Sequence, residues 1–330
     1  MFMQKIFPKK LSQGDKIAVI APAQSMHIIG KESRQLANQR FKQLGLDLLF
    51  GEHIEEMDDF VSTSINSRVE DLHNAFADKS VKGIISVIGG FNSIQLLEYL
   101  DWGLIKNNPK VFCGFSDITV LNNAVYAKTG LVNYSGPHYS TFGQKLFLDY
   151  TVDYFKKCLF GEQPFQVIPS SEWTDDRWWL NQDDRHPQAN EGFLVINEGE
   201  AQGTILGANL CTLNLLQGTE YFPDLASSIL FLEDDSQSDA VTFDRDLQSL
   251  MLQPAFSKVK GIVIGRFQRD SKMTDELLKK IIATRPKLDK IPVVANADFG
   301  HTDPKITFPI GGTVNISVAN KKVKIEINAH

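Results

Sequence analysis

The chain has 330 residues, of which 42% are hydrophobic and 22% are charged, and its formal net charge is −6. This length predicts two domains, and the mildly acidic balance excludes the basic surface that a nucleic-acid partner requires. No apolar run is long enough to span a membrane and the first residues lack the apolar core of a signal peptide, so we expect a cytoplasmic protein without a membrane partner.

The first half of the chain alternates short apolar runs with helical patterns. Strands are predicted at 16–21, 83–88 and 110–113, and helices at 31–44, 94–100 and 118–128. Strands that alternate with helices form a mostly parallel sheet covered by helices. We therefore predict an α/β domain over residues 1–163.

The segment 164–190 interrupts this order. It contains Pro164, Pro169 and Pro187 among several acids and three tryptophans, and no helical or strand period fits it. Loops of this length are uncommon in compact domains and are often functional. We interpret the segment as a linker or active-site loop.

Strand patterns return in residues 191–330, which we predict to be a second domain. The predicted strands are 203–206, 228–232, 261–264 and 292–295, the helices are 243–252 and 275–284, and a hairpin of strands 313–318 and 322–327 ends the chain. The hairpin is expected to turn at Asn320.

Ser116 is the first candidate for a catalytic group. The predicted strand 110–113 runs into Gly-Phe-Ser-Asp, and a predicted helix follows. A serine at a sharp turn from strand to helix holds its hydroxyl at the carboxyl end of the sheet, where the next backbone N–H groups point at the atom under attack. Ile118 replaces the second glycine of the esterase pattern G-x-S-x-G, so the motif is incomplete. Ser116 and Asp117 are also residue types that begin helices as N-caps, and this alternative stays open.

A pair of glycines, Gly89 and Gly90, follows the predicted strand 83–88. Glycines permit a positive φ and a close approach of the backbone to a ligand, so their N–H groups are candidates for binding an oxyanion. The alternative is a tight turn in which Asn92 or Ser93 caps a helix. No lysine of a phosphate-binding loop follows.

A nucleophilic serine needs a base and a carboxylate that orients the base. His301 lies on a glycine-containing turn after the predicted strand 292–295, and Glu233 ends the predicted strand 228–232. Both would reach the carboxyl edge of a sheet, although a surface histidine and a solvated strand end are the alternatives. A metal site fits less well, because the acids after Glu233 lack calcium-loop spacing and the three cysteines lack zinc-site spacing.

Four motifs together resemble the family of LD-carboxypeptidases and microcin C self-immunity proteins. They are Gly-Gly-Phe-Asn-Ser at 89–93, Gly-Phe-Ser-Asp at 114–117, Leu-Glu-Asp at 232–234 and Phe-Gly-His-Thr at 299–302. They occur in the family's order and approximate spacing, and the resemblance covers nearly the whole chain.

The resemblance implies a triad of Ser116, Glu233 and His301. It implies an oxyanion hole formed by the N–H groups of Gly90 and Asp117. It also implies a flavodoxin-like parallel-sheet N-terminal domain, a smaller β-rich C-terminal domain similar to a swivelling barrel, and a homodimer. Neither a metal nor an organic cofactor is implied.

The two branches of the family imply different substrates. One trims murein tetrapeptides, and the other resembles the microcin immunity enzyme, which cuts the link between an aminoacyl group and a nucleotide. The tryptophan-rich segment resembles the second branch, and Trp178 or Trp179 would stack on a nucleobase, unless they pack a domain interface instead. The immunity branch implies a lysine shortly after Glu233, and the next residues of this chain, 234–237, include no lysine.

The substrate-binding residues implied by the resemblance are Phe91, Asn92, Trp178, Trp179 and Asn209. The best-supported interpretation is a serine hydrolase that cleaves an amide-type bond in an aminoacyl nucleotide similar to microcin C; a small peptide is the other expected partner. A murein tetrapeptide LD-carboxypeptidase and a non-catalytic nucleotide or peptide binder are the alternatives, since a fold does not fix a function. Convergence of the three triad side chains would argue against the binder.

Overall fold

The computed structural model describes residues 4–330. Its α-helices are α1 (Lys31–Gln43), α2 (Ile65–Ala77), α3 (Trp102–Asn107), α4 (Thr119–Thr129), α5 (Asp149–Leu159), α6 (Leu210–Asn214), α7 (Ala240–Met251) and α8 (Asp275–Ala283). Its strands are β1 (Lys16–Ile20), β2 (Asp47–Phe50), β3 (Val81–Ser86), β4 (Val111–Gly114), β5 (Asn133–Ser135), β6 (Phe165–Gln166), β7 (Glu172–Trp173), β8 (Gln188–Ala189), β9 (Leu194–Asn197), β10 (Gly199–Asn209), β11 (Ser228–Glu233), β12 (Gly261–Gly265), β13 (Val293–Ala297), β14 (Phe308–Ile310), β15 (Thr313–Ala319) and β16 (Lys322–Ala329).

The first sheet has six strands in the order β14-β5-β4-β3-β1-β2. Strands β1 to β5 pair in parallel, and β14 joins the edge beside β5 in the antiparallel direction. β1, β3 and β4 are buried over almost their whole length, as parallel strands covered on both faces are. Because β3 and β4 are neighbours, the turns at their carboxyl ends lie side by side.

The second sheet has eight strands in the order β6-β16-β15-β10-β11-β12-β13-β9. β10 to β13 pair in parallel, and the outer strands pair in the antiparallel direction. The hairpin of β15 and β16 turns through Asn320 and Lys321, whose φ angles are 51° and 61°. Two successive positive φ angles match the twist of the strands, and they confirm the predicted turn.

This architecture confirms the predicted α/β class, with a flavodoxin-like parallel sheet first and a β-rich part second. The predicted helix 94–100 is instead a 3-10 helix, Ser93–Tyr99. Ser93 and Leu96 are both buried, and the tighter three-residue turn puts them on one face. The segment 164–190 contains the short strands β6, β7 and β8.

The division into 1–163, 164–190 and 191–330 stays a prediction. Strand pairing crosses these predicted limits. β6, from the segment 164–190, pairs with β16 of the second sheet, and β14, from the segment 191–330, pairs with β5 of the first sheet.

Buried side chains on α4 join the two sheets. The Asn123 amide donates to the Gly207 carbonyl over 2.7 Å and accepts from the Gly207 N–H over 3.2 Å. The Thr119 hydroxyl oxygen accepts from the Asn209 N–H over 3.2 Å. The helix that follows Ser116 is therefore fixed to β10, and Asn209 of β10 is in register with Glu233 of β11.

Candidate active site

Ser116 lies in the turn that follows β4. Its φ angle is +60°, in the left-handed region that residues with a side chain rarely adopt. A 3-10 helix begins at Ser116 and leads into α4, and its N-cap is Phe115, without a side-chain cap hydrogen bond. Ser116 is therefore not a helix cap. The turn holds the half-buried hydroxyl out at the carboxyl end of the sheet, as in a nucleophile elbow.

His301 connects Ser116 with Glu233. Its Nε2 lies 3.1 Å from Ser116 Oγ, and its Nδ1 lies 2.7 Å from Glu233 Oε2. Because Nδ1 donates its hydrogen to the carboxylate, Nε2 is left to accept the hydroxyl hydrogen. The three side chains come from the ends of β4, β11 and β13, and they form one continuous chain of hydrogen bonds.

The electrostatics of His301 are set by two opposing effects. Burial lowers the pKa of His301, whereas the charge and hydrogen bond of Glu233, helped by the charge of Asp235, raise it. The carboxylates outweigh burial, so the pKa of His301 lies above its ordinary value. A protonated imidazole at this position is stabilised by the same carboxylates.

Glu233 is 1% exposed, and both of its oxygens have partners. Oε2 accepts from His301, and Oε1 accepts from the Asn209 amide over 3.2 Å. Gly300 has a φ of +94°, and a Cβ at that position would overlap the Glu233 carboxyl group. Position 300, just before His301, therefore needs glycine both for the positive φ and for the space that the Glu233 carboxyl group occupies.

Asn209 is not among the residues that line the cavity described below; it lies behind Glu233. Its side-chain oxygen accepts from the Thr212 N–H over 3.1 Å and caps α6, while its amide nitrogen reaches Glu233 and, at 3.4 Å, Asp234. Burial and then the neighbouring Glu233 charge raise the pKa of Asp234 to about 7. In this arrangement Asn209 supports the acids rather than facing a substrate.

The paired glycines follow β3 and face the nucleophile turn. Neither Gly89 nor Gly90 has a positive φ, so the expected left-handed conformation is absent at both. They are needed for close approach instead: a Cβ on Gly89 would lie 2.9 Å from Ser116 Cβ, and one on Gly90 would lie 3.1 Å from Ala23 Cβ.

Asp117 ties this glycine corner to the nucleophile turn. Its buried carboxylate accepts from the Ser93 N–H over 2.9 Å, and the Ser93 hydroxyl donates to the Asp117 carbonyl over 2.8 Å. Within residues 4–330, the N–H groups of Gly90 and Asp117 have no protein acceptor. Both N–H groups are therefore available to an oxyanion beside Ser116.

The neighbouring residues Phe91 and Asn92 differ in position. Phe91 is 71% exposed and lines the cavity around Ser116. The Asn92 side chain turns away, and its oxygen accepts from Arg68 over 3.0 Å. Of these two predicted substrate-binding residues, the structure brings only Phe91 to the cavity.

A cavity of about 380 Å³, here called the reaction cavity, opens over Ser116 and His301. A second cavity of about 500 Å³ shares the boundary residues Gln24, Ile88, Ser140, Trp178 and Trp179 with it. The two indoles are perpendicular, with ring centres 5.9 Å apart. Trp179 is 60% exposed, so its ring is accessible to a flat ligand.

The sequence reasoning missed several residues that line the reaction cavity. They are Phe115, His138, Asp235, Gln268, Asp303 and Lys305. Asp303 and Lys305 directly follow the His301 motif and Asp235 follows Glu233, so proximity to a motif was an available signal. His138 follows Gly-Pro and gave no such signal.

The Phe115 ring contacts two other side chains that line the reaction cavity, His138 and Lys305. The His138 ring stacks on it with centres 4.2 Å apart, and the Lys305 ammonium lies 5.2 Å from its centre. His138 is 2% exposed, and its Nδ1 lies 2.7 Å from Ser86 Oγ. Burial, with the nearby charges of Lys305 and His301, lowers the pKa of His138 well below its ordinary value, so its ring is neutral.

Residues 4–330 contain neither a metal-ligand cluster nor a membrane-spanning helix. No group of three or more His, Cys, Asp or Glu side chains is arranged to hold a metal ion. None of the helices described there has the length and apolar character needed to cross a membrane.

Family models and relatives match this chain along most of its length. The model of the LD-carboxypeptidase N-terminal domain matches residues 17–136, and that of the LD-carboxypeptidase C-terminal domain matches residues 202–316. The Bacillus subtilis protein named "Putative carboxypeptidase YocD" is 52% identical, over 98% of this chain and 100% of the relative.

Solved structures agree with this match. The crystal structure of an MccF-like protein from Bacillus anthracis is 52% identical, with a TM-score of 0.97 over 98% of this chain and 100% of that one. A structure of MccF in complex with glutamyl sulfamoyl guanosine is 28% identical, with a TM-score of 0.88 over 98% of both chains. The chain belongs to the LD-carboxypeptidase family of peptidases.

Proposed function

We propose that this protein is a serine hydrolase that cleaves the amide-type bond between an aminoacyl group and a nucleotide. The observation that carries the proposal is the chain of hydrogen bonds from Glu233 through His301 to Ser116, with lengths of 2.7 and 3.1 Å. A nucleophile, a base and an orienting carboxylate in this order perform acyl transfer on many unrelated folds.

In the proposed reaction, Ser116 Oγ attacks the scissile carbonyl carbon while His301 Nε2 takes the hydroxyl proton. The tetrahedral intermediate collapses, and His301 returns the proton to the leaving nitrogen, which leaves an ester on Ser116. Water then attacks the ester with His301 as base, and the free amino acid is released. Glu233 holds the imidazole in the required tautomer and stabilises its charged form.

The developing oxyanion would be bound by the N–H groups of Gly90 and Asp117. Both groups lack a protein acceptor within the described residues, and the close contact between Gly89 and Ser116 brings the two turns together. In enzymes of this kind, one such donor contributes about 2.7–4 kcal/mol to transition-state stabilisation.

The nucleotide would lie on the tryptophan side of Ser116. Trp178 and Trp179 stand at the boundary of the reaction cavity and the second cavity, which together offer room beyond the scissile bond. An indole stacks on a base for about 1–3 kcal/mol. The binding of glutamyl sulfamoyl guanosine by the relative MccF supports the same class of ligand.

Parallel assays test this proposal. The purified protein is incubated with glutamyl-sulfamoyl adenosine and, separately, with a murein tetrapeptide, and the products are identified by mass spectrometry. We expect release of glutamate and sulfamoyl adenosine, and no release by Ser116→Ala. Ser257→Ala, an exposed serine far from the motifs, serves as control and keeps wild-type activity.

Near-wild-type hydrolysis by Ser116→Ala overturns the assignment of the nucleophile. Release of terminal D-alanine from the tetrapeptide, with no attack on the nucleotide compound, replaces the proposal by the second candidate function. That candidate, a murein tetrapeptide LD-carboxypeptidase, is favoured by the family model that matches both parts of the chain.

A further inference from the structure

We propose that Asp235 selects substrates whose acyl group carries an ammonium group near the scissile carbonyl. This inference rests on the proposed function and names the acyl class that the site accepts. It concerns the part of the reaction cavity that Asp235 and Gln268 line.

The charged side chains that line the reaction cavity do not balance one another. Its lining includes two carboxylates, Asp235 and Asp303, and one ammonium group, Lys305. Lys305 and Asp303 form a buried ion pair with each other, at 4% and 6% exposure. Because this pair cancels its own charge, the negative charge of Asp235 is left over.

The Asp235 carboxylate has a backbone hydrogen-bond partner but no positively charged side chain beside it among the described residues. One oxygen accepts from the Gln237 N–H over 2.8 Å, and within residues 4–330 no Lys, Arg or His forms an ion pair with this carboxylate. The side chain is half-buried at the cavity wall, so it is accessible to a ligand but partly shielded from water. Burial of this kind strengthens a charged interaction.

Asp235 lines the reaction cavity but not the second cavity. Asp235 comes two residues after Glu233, and its charge contributes to the raised pKa of His301. The second cavity is lined by Trp178 and Trp179 but not by Asp235 or Gln268. With the nucleotide on the tryptophans and in the second cavity, as proposed above, the acyl group would occupy the part of the reaction cavity that Asp235 lines.

These observations define what the acyl pocket favours. A neutral group next to the scissile carbonyl would leave the Asp235 charge without a partner, whereas an ammonium group would meet an unpaired oxygen. Two sources can supply the same chemistry: the free α-amine of an aminoacyl nucleotide, or a side-chain amine on the residue that precedes a terminal D-amino acid. A charged hydrogen bond of this kind corresponds to about a 10- to 100-fold preference.

A cycle of two enzymes and two substrates tests the inference. Wild type and Asp235→Asn are assayed with alanyl-sulfamoyl adenosine and with propionyl-sulfamoyl adenosine, which differ only in the ammonium group. We expect wild type to prefer the alanyl compound by about 10- to 100-fold in kcat/KM, and Asp235→Asn to lose at least tenfold of that preference. Asp239→Asn, an acid of the same loop that caps α7, is the matched control because asparagine caps equally well.

The amine source is resolved with a second substrate pair. Peptides that end in lysyl-D-alanine and norleucyl-D-alanine are compared in the same two enzymes. A preference for lysine that depends on Asp235 assigns the subsite to a side-chain amine, whereas a preference in the nucleotide series assigns it to the α-amine. Either result supports the inference.

If Asp235→Asn lowers kcat/KM equally for both members of each pair, the inference is overturned, because the variant would then act only through the charge on His301. The same ligands are titrated calorimetrically into Ser116→Ala and into Ser116→Ala/Asp235→Asn, so the ammonium preference is measured without turnover. Absence of hydrolysis with the preference retained contradicts the proposed function alone. Hydrolysis without an ammonium preference contradicts this inference alone.

Discussion

The carboxylate of Glu233 combines deep burial with a full set of partners. Asn209 and His301 each occupy one oxygen, so the negative charge is kept where water scarcely reaches it. A charge in such a place acts strongly on the imidazole beside it. The protonation of His301 should therefore respond to changes at Glu233 more than to any exposed charge.

Glu233→Gln tests that response. The variant removes the charge that raises the pKa of His301. The active base is neutral, so activity rises with pH as His301 loses its proton, and the raised pKa of His301 puts the midpoint of this acid limb above the ordinary histidine value in wild type. We expect the limb to move to lower pH in the variant and the plateau to fall on the order of 10³- to 10⁴-fold. The measurement is kcat/KM against pH, and an unmoved limb contradicts the assignment of His301 as the titrating base.

Two substitutions at Asn209 separate its two hydrogen-bonding roles. Asn209→Ala loses both the helix cap and the amide donor to Glu233, so we expect about 1 kcal/mol less stability and a lower kcat. Asn209→Ser keeps an oxygen for the cap but loses the donor, so stability should stay near wild type while kcat falls. Urea unfolding and steady-state kinetics provide the two readouts. A change confined to KM in the serine variant would instead indicate contact with substrate.

At the scale of elements, the site depends on how closely the turns after β3 and β4 approach each other. Gly89 contacts Ser116, and Asp117 is hydrogen-bonded to Ser93. Because β3 and β4 are adjacent parallel strands, these turns lie at one edge of the sheet. The sequence pattern predicted both turns but not that they are neighbours. The pattern did not predict the distance, because the positive φ belongs to Ser116 and not to either glycine. Strain of that kind is set by tertiary packing rather than by local sequence.

Gly89→Ala should therefore damage catalysis more than stability. The added Cβ would lie 2.9 Å from Ser116 Cβ and 3.0 Å from its hydroxyl oxygen, so the nucleophile must shift. We expect kcat to fall by about 100-fold, since displacements of about 1 Å cost that much. Gly103→Ala, in α3, is the control and should leave kcat unchanged. Wild-type kcat in Gly89→Ala would show that the turn relaxes freely.

Over the whole molecule, the segment 164–190 contacts both the N-terminal part of the chain, which carries the first sheet, and the C-terminal part, which carries the second. Gln182 donates to the Gly143 carbonyl over 2.8 Å on the first side, and Arg269 pairs with Asp175 on the second. Thr174 exchanges backbone hydrogen bonds of 2.7 and 2.8 Å with Asp303, close to His301. The segment that carries the tryptophans is thus held by specific contacts at both ends of the site.

Arg269→Ala tests this fastening. The variant releases Asp175 and Asp176, so the tryptophans should be held less firmly and KM for a sulfamoyl-adenosine substrate should rise several-fold at unchanged kcat. Chymotrypsin should cut near Trp178 faster than in wild type. Arg177→Ala, which breaks the exposed pair with Asp270 in the same region, is the control and should change neither property, because exposed pairs contribute little. Identical behaviour of the two variants would argue against the fastening.

The limits of prediction follow from where each feature is encoded. The parallel strands were predictable because continuous apolar runs between helices have few other solutions. Ser116 and Glu233 were candidates because each lies at the end of such a run, whereas the set of Ser116, Glu233 and His301 was implied by the family resemblance. Lys305, Asp235 and His138 were not assigned, since their roles in the cavity depend on side chains from distant segments. The return of β14 to the first sheet was missed because a three-residue strand has no measurable period.

The order of the triad along the chain has a further consequence. Ser116 precedes the exposed stretch around Asp183 and Asp184, whereas Glu233 and His301 follow it. A single cut in that stretch would yield two fragments, each with an incomplete set of catalytic groups, that interlock because β14 of one completes the sheet of the other. Under the proposed function, recovered hydrolysis would therefore measure the reassociation of the two fragments.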